Sequence, residues 1–275
     1  MPFKRKKIRL VGRSLSLSFL VLGAAIFRGL ASSTNPTAQT IVEKSVQANQ
    51  ADFKAASEFS YRERDLTANG SKTWEVMMID GSPYQRLIAV NDERLSKEQD
   101  EKEQQKLNEV IARRKAESAE QRRQRIAKYE QDRRRDHVMM QQLTAAFVFK
   151  LIDRRTINSR QVYVLRATPK PDYQPPNMAA RVLPGMEGEL WIDTETYQWV
   201  KVTANVLRPV SIEGFLAQVE PGTEFELEKM PVSDGIWLPK HFSMKSHARV
   251  LHMFTRNSQE DDTYSDYKRI SGGPK

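Results

Sequence analysis

The chain contains no cysteine. That excludes a disulfide framework, a thiol nucleophile and any cysteine-held zinc or iron–sulfur centre. It also excludes a lipid-modified N-terminal cysteine. Histidine is scarce, with His137, His241, His247 and His252 the full set among 275 residues. No HExxH pair joins any of them, and no carboxylate stands at an obvious ligand spacing from them. There is no GxSxG elbow, no phosphate-binding loop and no GxGxxG turn. From these absences we expect no catalytic residue, no cofactor and no metal site, and therefore a protein that is not an enzyme.

Charge of one sign is also nearly missing once its position is taken into account. The whole chain carries 44 basic and 35 acidic residues, a net of +9. Seven of the basic residues and none of the acidic ones fall in residues 1–33. They precede or flank an apolar run from Leu15 to Phe27, and small residues follow at Ala31, Ser32 and Ser33. A basic start, an apolar centre and a small-residue end form a secretory signal peptide. The apolar run is short of the ~20 residues that cross a bilayer as a helix. Cleavage is expected near Ala31 to Ser33, which places the protein in the periplasm. An uncleaved segment anchored in the inner membrane is the alternative. Without residues 1–33 the chain keeps 37 basic against 35 acidic residues. A nucleic-acid partner is therefore not expected.

Glycine and proline are absent from Tyr84 to Thr168. Inside that stretch, residues 92–136 hold 14 basic and 12 acidic side chains. Ser96 with Gln99 makes a capping box. Glu93 with Lys97, Glu98 with Lys102, Glu109 with Arg113 and Glu130 with Arg134 have the i,i+4 orientation that supports a helix. The large apolar residues are too few for heptads. We read residues 92–142 as a charged helical insertion of one or two helices, projecting from the main body or lying across it.

The rest, 34–275, reads as one domain. Residues 36–56 form a helix, with Pro36 in its first turn. Period-2 segments follow: Ser60–Leu66, Lys72–Asp80 and Tyr84–Asn91, the first two around the hairpin signal Asn69-Gly70. After the insertion come a strand from Ala146, then Arg160–Thr168, Glu187–Thr194, Gln198–Leu207, Ile212–Val219, Thr223–Lys229, Ile236–Val250, His252–Ser258 and Thr263–Ile270. Five of the thirteen prolines fall between Pro169 and Gly185, predicting an extended, exposed loop. Short connections make neighbouring strands antiparallel, and no βαβ rhythm appears. The fold class is α+β: a curved antiparallel sheet, or unclosed barrel, of about 10–11 strands with an N-terminal helix.

Several strands are apolar on one side only, and such a face must be covered. Trp74, Val76, Met78, Leu190, Ile192, Val200, Val202, Phe242 and Met244 are the candidates to line an apolar cavity, with ordinary core packing as the competing reading. His241 and His247 share a strand phase with Ser243, Lys245 and Arg249, which reads as a polar outer face.

Certain stretches resemble a known family. They are Tyr61-Arg62-Glu63, Gly188-Glu189-Leu190-Trp191-Ile192-Asp193, Tyr197-Gln198-Trp199-Val200, Trp237-Leu238-Pro239 and Tyr264-Ser265-Asp266-Tyr267. Together they resemble the periplasmic lipoprotein-carrier superfamily typified by LolA and LolB. The likeness is greatest to acidobacterial-type proteins described as outer-membrane lipoprotein-sorting-like. The resemblance implies a LolA-like half-barrel, covered by helices, that encloses an apolar cavity for lipid or lipoprotein acyl chains. The charged insertion departs from the carriers, and no functional residue of theirs is carried over. The alternative expectation is an envelope interaction protein with a filled core. It would dock an envelope protein or an anionic lipid surface through residues 92–136.

Overall fold

The computed structural model describes residues 35–177, 179–211, 217–233, 235–250 and 254–270. The signal-peptide reading of residues 1–33 lies outside them. Among the described residues no helix is long and apolar enough to cross a membrane.

The chain folds as α+β around one curved, wholly antiparallel sheet of 13 strands. Helix α1 (Ala38–Ala55) leads, its first turn capped by the Thr37 hydroxyl accepting from the Thr40 amide. Strands β1 (Phe59–Thr67), β2 (Gly70–Ile79), β3 (Ser82–Val90) and the short β4 (Glu93–Arg94) form a meander. The first hairpin turns at Gly70, whose φ of +106° is left-handed. A Cβ there would meet the Asn91 side chain, whose Oδ1 accepts from the Ser71 amide. Helices α2 (Lys97–Lys115), α3 (Ala119–Gln141) and α4 (Leu143–Ala146) follow. A second meander then runs through β5 (Phe147–Ile157), β6 (Arg160–Pro169), β7 (Met186–Asp193) and β8 (Trp199–Val206). Last come the short β9 (Val210–Ser211) and β10 (Ala217–Val219), then β11 (Glu224–Ser233), β12 (Ile236–Val250) and β13 (Phe254–Arg269).

The sheet order is β4-β3-β2-β1-β13-β12-β11-β8-β7-β6-β5, with β9 and β10 attached beside β12. The first and last strands of the chain, β1 and β13, meet in the middle and join the two meanders. The two edges, β4 and β5, do not pair with each other, so the barrel stays open. The insertion leaves from one edge and re-enters at the other. A chain that travels between opposite edges must pass over a face, and α3 accordingly contacts α1, α4, β3 and the Ala179–Gly185 turn.

The insertion is two helices, and it lies across the body, which are among the alternatives that the sequence left open. Three other expectations change. Of the insertion's four expected i,i+4 pairs, Glu98–Lys102 alone forms among the described residues; Glu130 takes Arg133, three positions along, instead. His252–Ser258 and Thr263–Ile270 are not two strands, because the described part of both belongs to the single strand β13. The proline-rich loop is not wholly exposed, since Ala179–Gly185 forms a 3₁₀ turn that buries Ala180 and Leu183.

The core sits between α1 and the second meander. Ile41 and Val42 of α1 pack on Tyr163, Leu165, Leu190 and Ile192. One buried polar knot fixes the helix there. The Asp52 carboxylate accepts from the Lys229 ammonium, from the Trp237 amide at 2.9 Å and from the Gln198 side-chain amide at 3.1 Å. Lys229 also donates to Asn49 Oδ1 at 2.7 Å. Burial pushes the Lys229 ammonium below the usual lysine range, against the pull of Asp52. Removing one member of a buried pair strands the other charge, at a cost of about 3–5 kcal/mol. Asp52→Ala is therefore expected to lose about that much in urea-unfolding free energy. The double variant Asp52→Ala/Lys229→Met is expected to recover part of it, and a double variant no more stable than the single one would contradict this reading.

Candidate functional site

The register shows where each candidate residue lies. Trp74, Val76 and Met78 alternate along β2, and Val76 stands opposite Tyr61 of β1. Glu63 stands opposite Tyr264, and Asp65 opposite Asp262, across the seam to β13. Asp262 pairs in turn with Phe242, Phe242 with Leu227, and Leu227 with Val202. Val202 pairs with Leu190 on β7. Directly opposed residues share a face, so these side chains form one continuous row on the side that α1 covers. Trp74, Met78, Met244 and Ile192 belong to the same face by strand alternation. Val200 does not. A β-bulge between β7 and β8 puts Trp199 opposite Ile192 and Lys201 opposite Trp191, so Val200 is the extra residue. It packs with Val162, Val164 and Trp237 on the opposite side from Leu165 and Tyr163. The sequence spacing of two between Val200 and Val202 could not reveal that.

The covered face has two basins. The first is a cavity of about 190 Å³. Its floor is the sheet: Ala167, Leu190, Val202, Ala204, Phe225 and Leu227. Leu143 of α4 and Leu183 of the 3₁₀ turn close its other side, with Phe147 and Trp199 at the ends of their strands. The Trp199 indole donates to the Ser45 hydroxyl at 3.2 Å, which ties this wall to α1. Glu187 and Thr203 are the polar members of the lining. Leu190 and Val202 are the two sequence candidates that reach this cavity. Ile192 is fully buried in the adjoining core.

The second basin, about 280 Å³, lies under α3. Val76 and Met78 line it with Tyr61, Tyr264 and Tyr267, and Tyr129 and Arg133 of α3 form its roof. Arg133 stacks over the rings of Phe53 and Tyr129, and its guanidinium also donates to the Phe53 carbonyl. Burial pushes the Tyr61, Tyr264 and Tyr267 hydroxyls above the usual tyrosine range. Phe242 and Met244 occupy the strand between the two basins and are partly buried.

Beside the second basin lies a group that the sequence analysis missed. Glu63, Asp65 and Asp262 bring one oxygen each to within 4.8 Å of the others. Burial pushes the Glu63 carboxyl up to about 7, helped by the nearby Asp65 and Asp262. Burial, then Glu260 and Asp65, pushes Asp262 up to about 6. The Trp74 indole donates to Asp65 Oδ2 at 2.9 Å, and Gln85 donates to Glu63 Oε2 at 3.1 Å. The legible half of this signal was Glu63-x-Asp65, two carboxylates on one side of a strand. The other half is about 200 positions away and needed the β1–β13 register. The histidines behave as expected of an outer face. His241 meets Asp261, and His247 meets Asn257, both on β13.

The hairpin over this face is held by arginines. Arg114 donates to the carbonyls of Ile79, Ser82 and Pro83 at 2.7, 2.8 and 3.0 Å. Arg125 donates to the Ser82 hydroxyl at 2.7 Å and pairs with Glu117 at 2.6 Å. These bonds fasten the α2–α3 turn to the β2–β3 turn.

No protein-family model matches the chain, and no curated protein is found to match it. Some solved structures are similar at low identity. An outer membrane lipoprotein-sorting protein domain from Vibrio parahaemolyticus is 11% identical, with a TM-score of 0.31 over 84% of this chain and 94% of that one. A LolA superfamily protein from Nitrosomonas europaea is 13% identical, with a TM-score of 0.33 over 87% and 96%. A DUF1329 family protein from Desulfovibrio piger is 10% identical, with a TM-score of 0.31 over 86% and 94%. Likeness of this degree assigns no family.

Arg114→Ala is expected to free the hairpin while leaving the sheet folded. Three carbonyls lose a charged donor, at about 1–3 kcal/mol for the site. Hydrogen exchange should accelerate in α2 and α3 and stay unchanged in β6 and β7. Equal acceleration everywhere would show that the clamp supports the whole fold.

Proposed function

We propose that the protein is an exported periplasmic binding protein, not an enzyme, that takes an acyl chain of a lipid or lipoprotein into the cavity beneath Leu143 and Leu183. The observation that carries this reading is the cavity itself: about 190 Å³ with walls that are apolar apart from Glu187 and Thr203. An engineered apolar cavity of about 150 Å³ stays dry and binds benzene, whereas drug-sized ligands occupy about 300–1,000 Å³. The space therefore suits an alkyl segment and not a whole lipid. Its two covering residues sit on α4, which is four residues long, and on a 3₁₀ turn. Neither element belongs to the sheet ladder, so moving them aside breaks no strand pairing and lengthens the cavity. The basic, apolar, small order of residues 1–33 supports export. The sequence resemblance to the LolA and LolB carriers, the acidobacterial-type proteins in particular, supports the choice of cargo.

A second reading has its own observation. Arg122 and Arg123 leave much of their side chains in solvent, 49% and 73% exposed, while pairing with Asp80 and Glu120. They suit docking to an acidic envelope partner or an anionic lipid surface.

Burying one methylene is worth ~0.8 kcal/mol, roughly a fourfold change in Kd. Saturated fatty acids of increasing length should displace a fluorescent fatty acid from the purified protein with that increment, until the cavity is full. Val202→Trp, which fills the floor, should abolish the increment while the far-ultraviolet circular dichroism stays unchanged. A flat length series would sink the carrier reading. If it is flat while anionic vesicles are bound and Arg122→Glu/Arg123→Glu loses them, the docking reading stands instead.

A further inference from the structure

Three carboxylates gathered on one face need a counter-charge, and among the described residues no basic side chain pairs with them. Arg62 and Arg64 alternate with Glu63 and Asp65 along β1, so they point the other way, where they bind Asp266 and Asp92. His241 alternates with Phe242 and meets Asp261 on that same outer side. The neutral neighbours that face the group are Trp74 on β2, Gln85 on β3, Phe242 and Met244 on β12 and Tyr264 on β13; Glu260 adds a further negative charge, and Lys72, opposite Asp65 on β2, shares the face but is exposed to solvent and makes no ion pair with it. Among the described residues, no lysine, arginine or histidine forms an ion pair with Glu63, Asp65 or Asp262. The Tyr264 hydroxyl lies beside Glu63 and Asp262 but has a single proton to give.

Clusters of acids are common on protein surfaces without meaning. Asp262 separates this one from them. The residue is only 5% exposed, and its Oδ1 is buried with no hydrogen-bond partner. It stands directly across the seam from Asp65, where like charges repel. A buried acceptor without a donor is costly, and a charged one more so. A bare carboxylate oxygen held out of water beside two further carboxylates asks for a cation.

We propose that Glu63, Asp65 and Asp262 form a calcium site that staples β1 to β13. The donors are all oxygen, with no nitrogen or sulfur, which selects a hard cation over zinc or copper. The three oxygens lie within 4.8 Å of one another, close enough for one ion with ligands at 2.3–2.6 Å to touch all three. Mg²⁺ needs a tighter and more regular shell, at 2.0–2.1 Å. The outer contacts are already in place. The Trp74 indole and the Gln85 amide each hold one oxygen of a carboxylate and so orient the other. The site is separate from the apolar cavity and does not depend on the acyl-chain reading. Binding there would lock the seam where the first and last strands of the chain meet.

The test uses the full exported chain, stripped with EDTA and titrated with CaCl₂ or MgCl₂. One calcium per chain by native mass spectrometry is expected, with a saturable rise in Tm of several degrees and a smaller response to magnesium. Asp262→Asn is nearly isosteric and removes one of the repelling charges. It should melt higher than the unsubstituted protein in EDTA, yet lose both the bound ion and the calcium response. That opposite pair of signs separates loss of the site from failure to fold. Glu63→Gln should behave in the same way. The proposal is overturned if no ion is retained at millimolar calcium, or if the Asp262→Asn chain responds as the unsubstituted chain does. An EDTA-stripped protein stabilised by acid alone, with calcium inert, would show that protons balance the cluster and would equally overturn it.

Discussion

A buried carboxylate on the first helix sets the terms for everything else. Asp52 gathers an ammonium, a backbone amide and a side-chain amide from β11, β12 and the turn before β8. These come from parts of the chain that share no local sequence, and the contact exists only when the sheet has its native curvature. Hydrophobic burial of Ile41 and Val42 supplies attraction without direction. The Asp52 knot supplies the direction. With α1 fixed along one half of the covered face, that half becomes core and the remainder must be closed by something else. The insertion, α4 and the 3₁₀ turn do so, and the cavities lie where their coverage is incomplete.

The route of the insertion follows from topology more than from its own chemistry. Its 26 charges suggest a surface made to meet other molecules. Several of the arginines serve the protein itself. Arg114, Arg125 and Arg133 end on carbonyls of the β2–β3 turn and of α1. Guanidinium groups suit this work because a rigid fork of donors can satisfy two or three acceptors at once. The exposed ion pairs on the outer side, such as Lys97–Glu101 and Arg123–Glu120, contribute little by comparison.

Local pattern made most strands legible. Alternation marked β1, β2, β3, β6 and β8 to within a residue or two, and Asn69-Gly70 marked the first hairpin. The break in period at Asp92 marked the insertion, and the capping box at Ser96 and Gln99 is present as read. What failed was whatever depends on partners distant in the chain. Val200 looked equivalent to Val202 until the register with β7 displaced it. Ala180 and Leu183 sat among prolines and looked exposed, because nothing nearby reveals the cavity they close. The carboxylate group was invisible because Asp65 and Asp262 become neighbours only when the two ends of the chain pair. Glu98 with Lys102 kept its helical partner, whereas Glu130 found another because α3 has a sheet beneath it.

The two edge strands do not pair with each other, and this has a mechanical consequence. A closed barrel has a fixed circumference, so its interior can change only by repacking side chains. An open sheet keeps every ladder bond while its curvature varies, much as a hand opens without moving the knuckles apart. The interior of this protein is then measured by an angle as well as by a volume. Contents of different girth become a question of how far the sheet unrolls against the tether of the hairpin across its mouth.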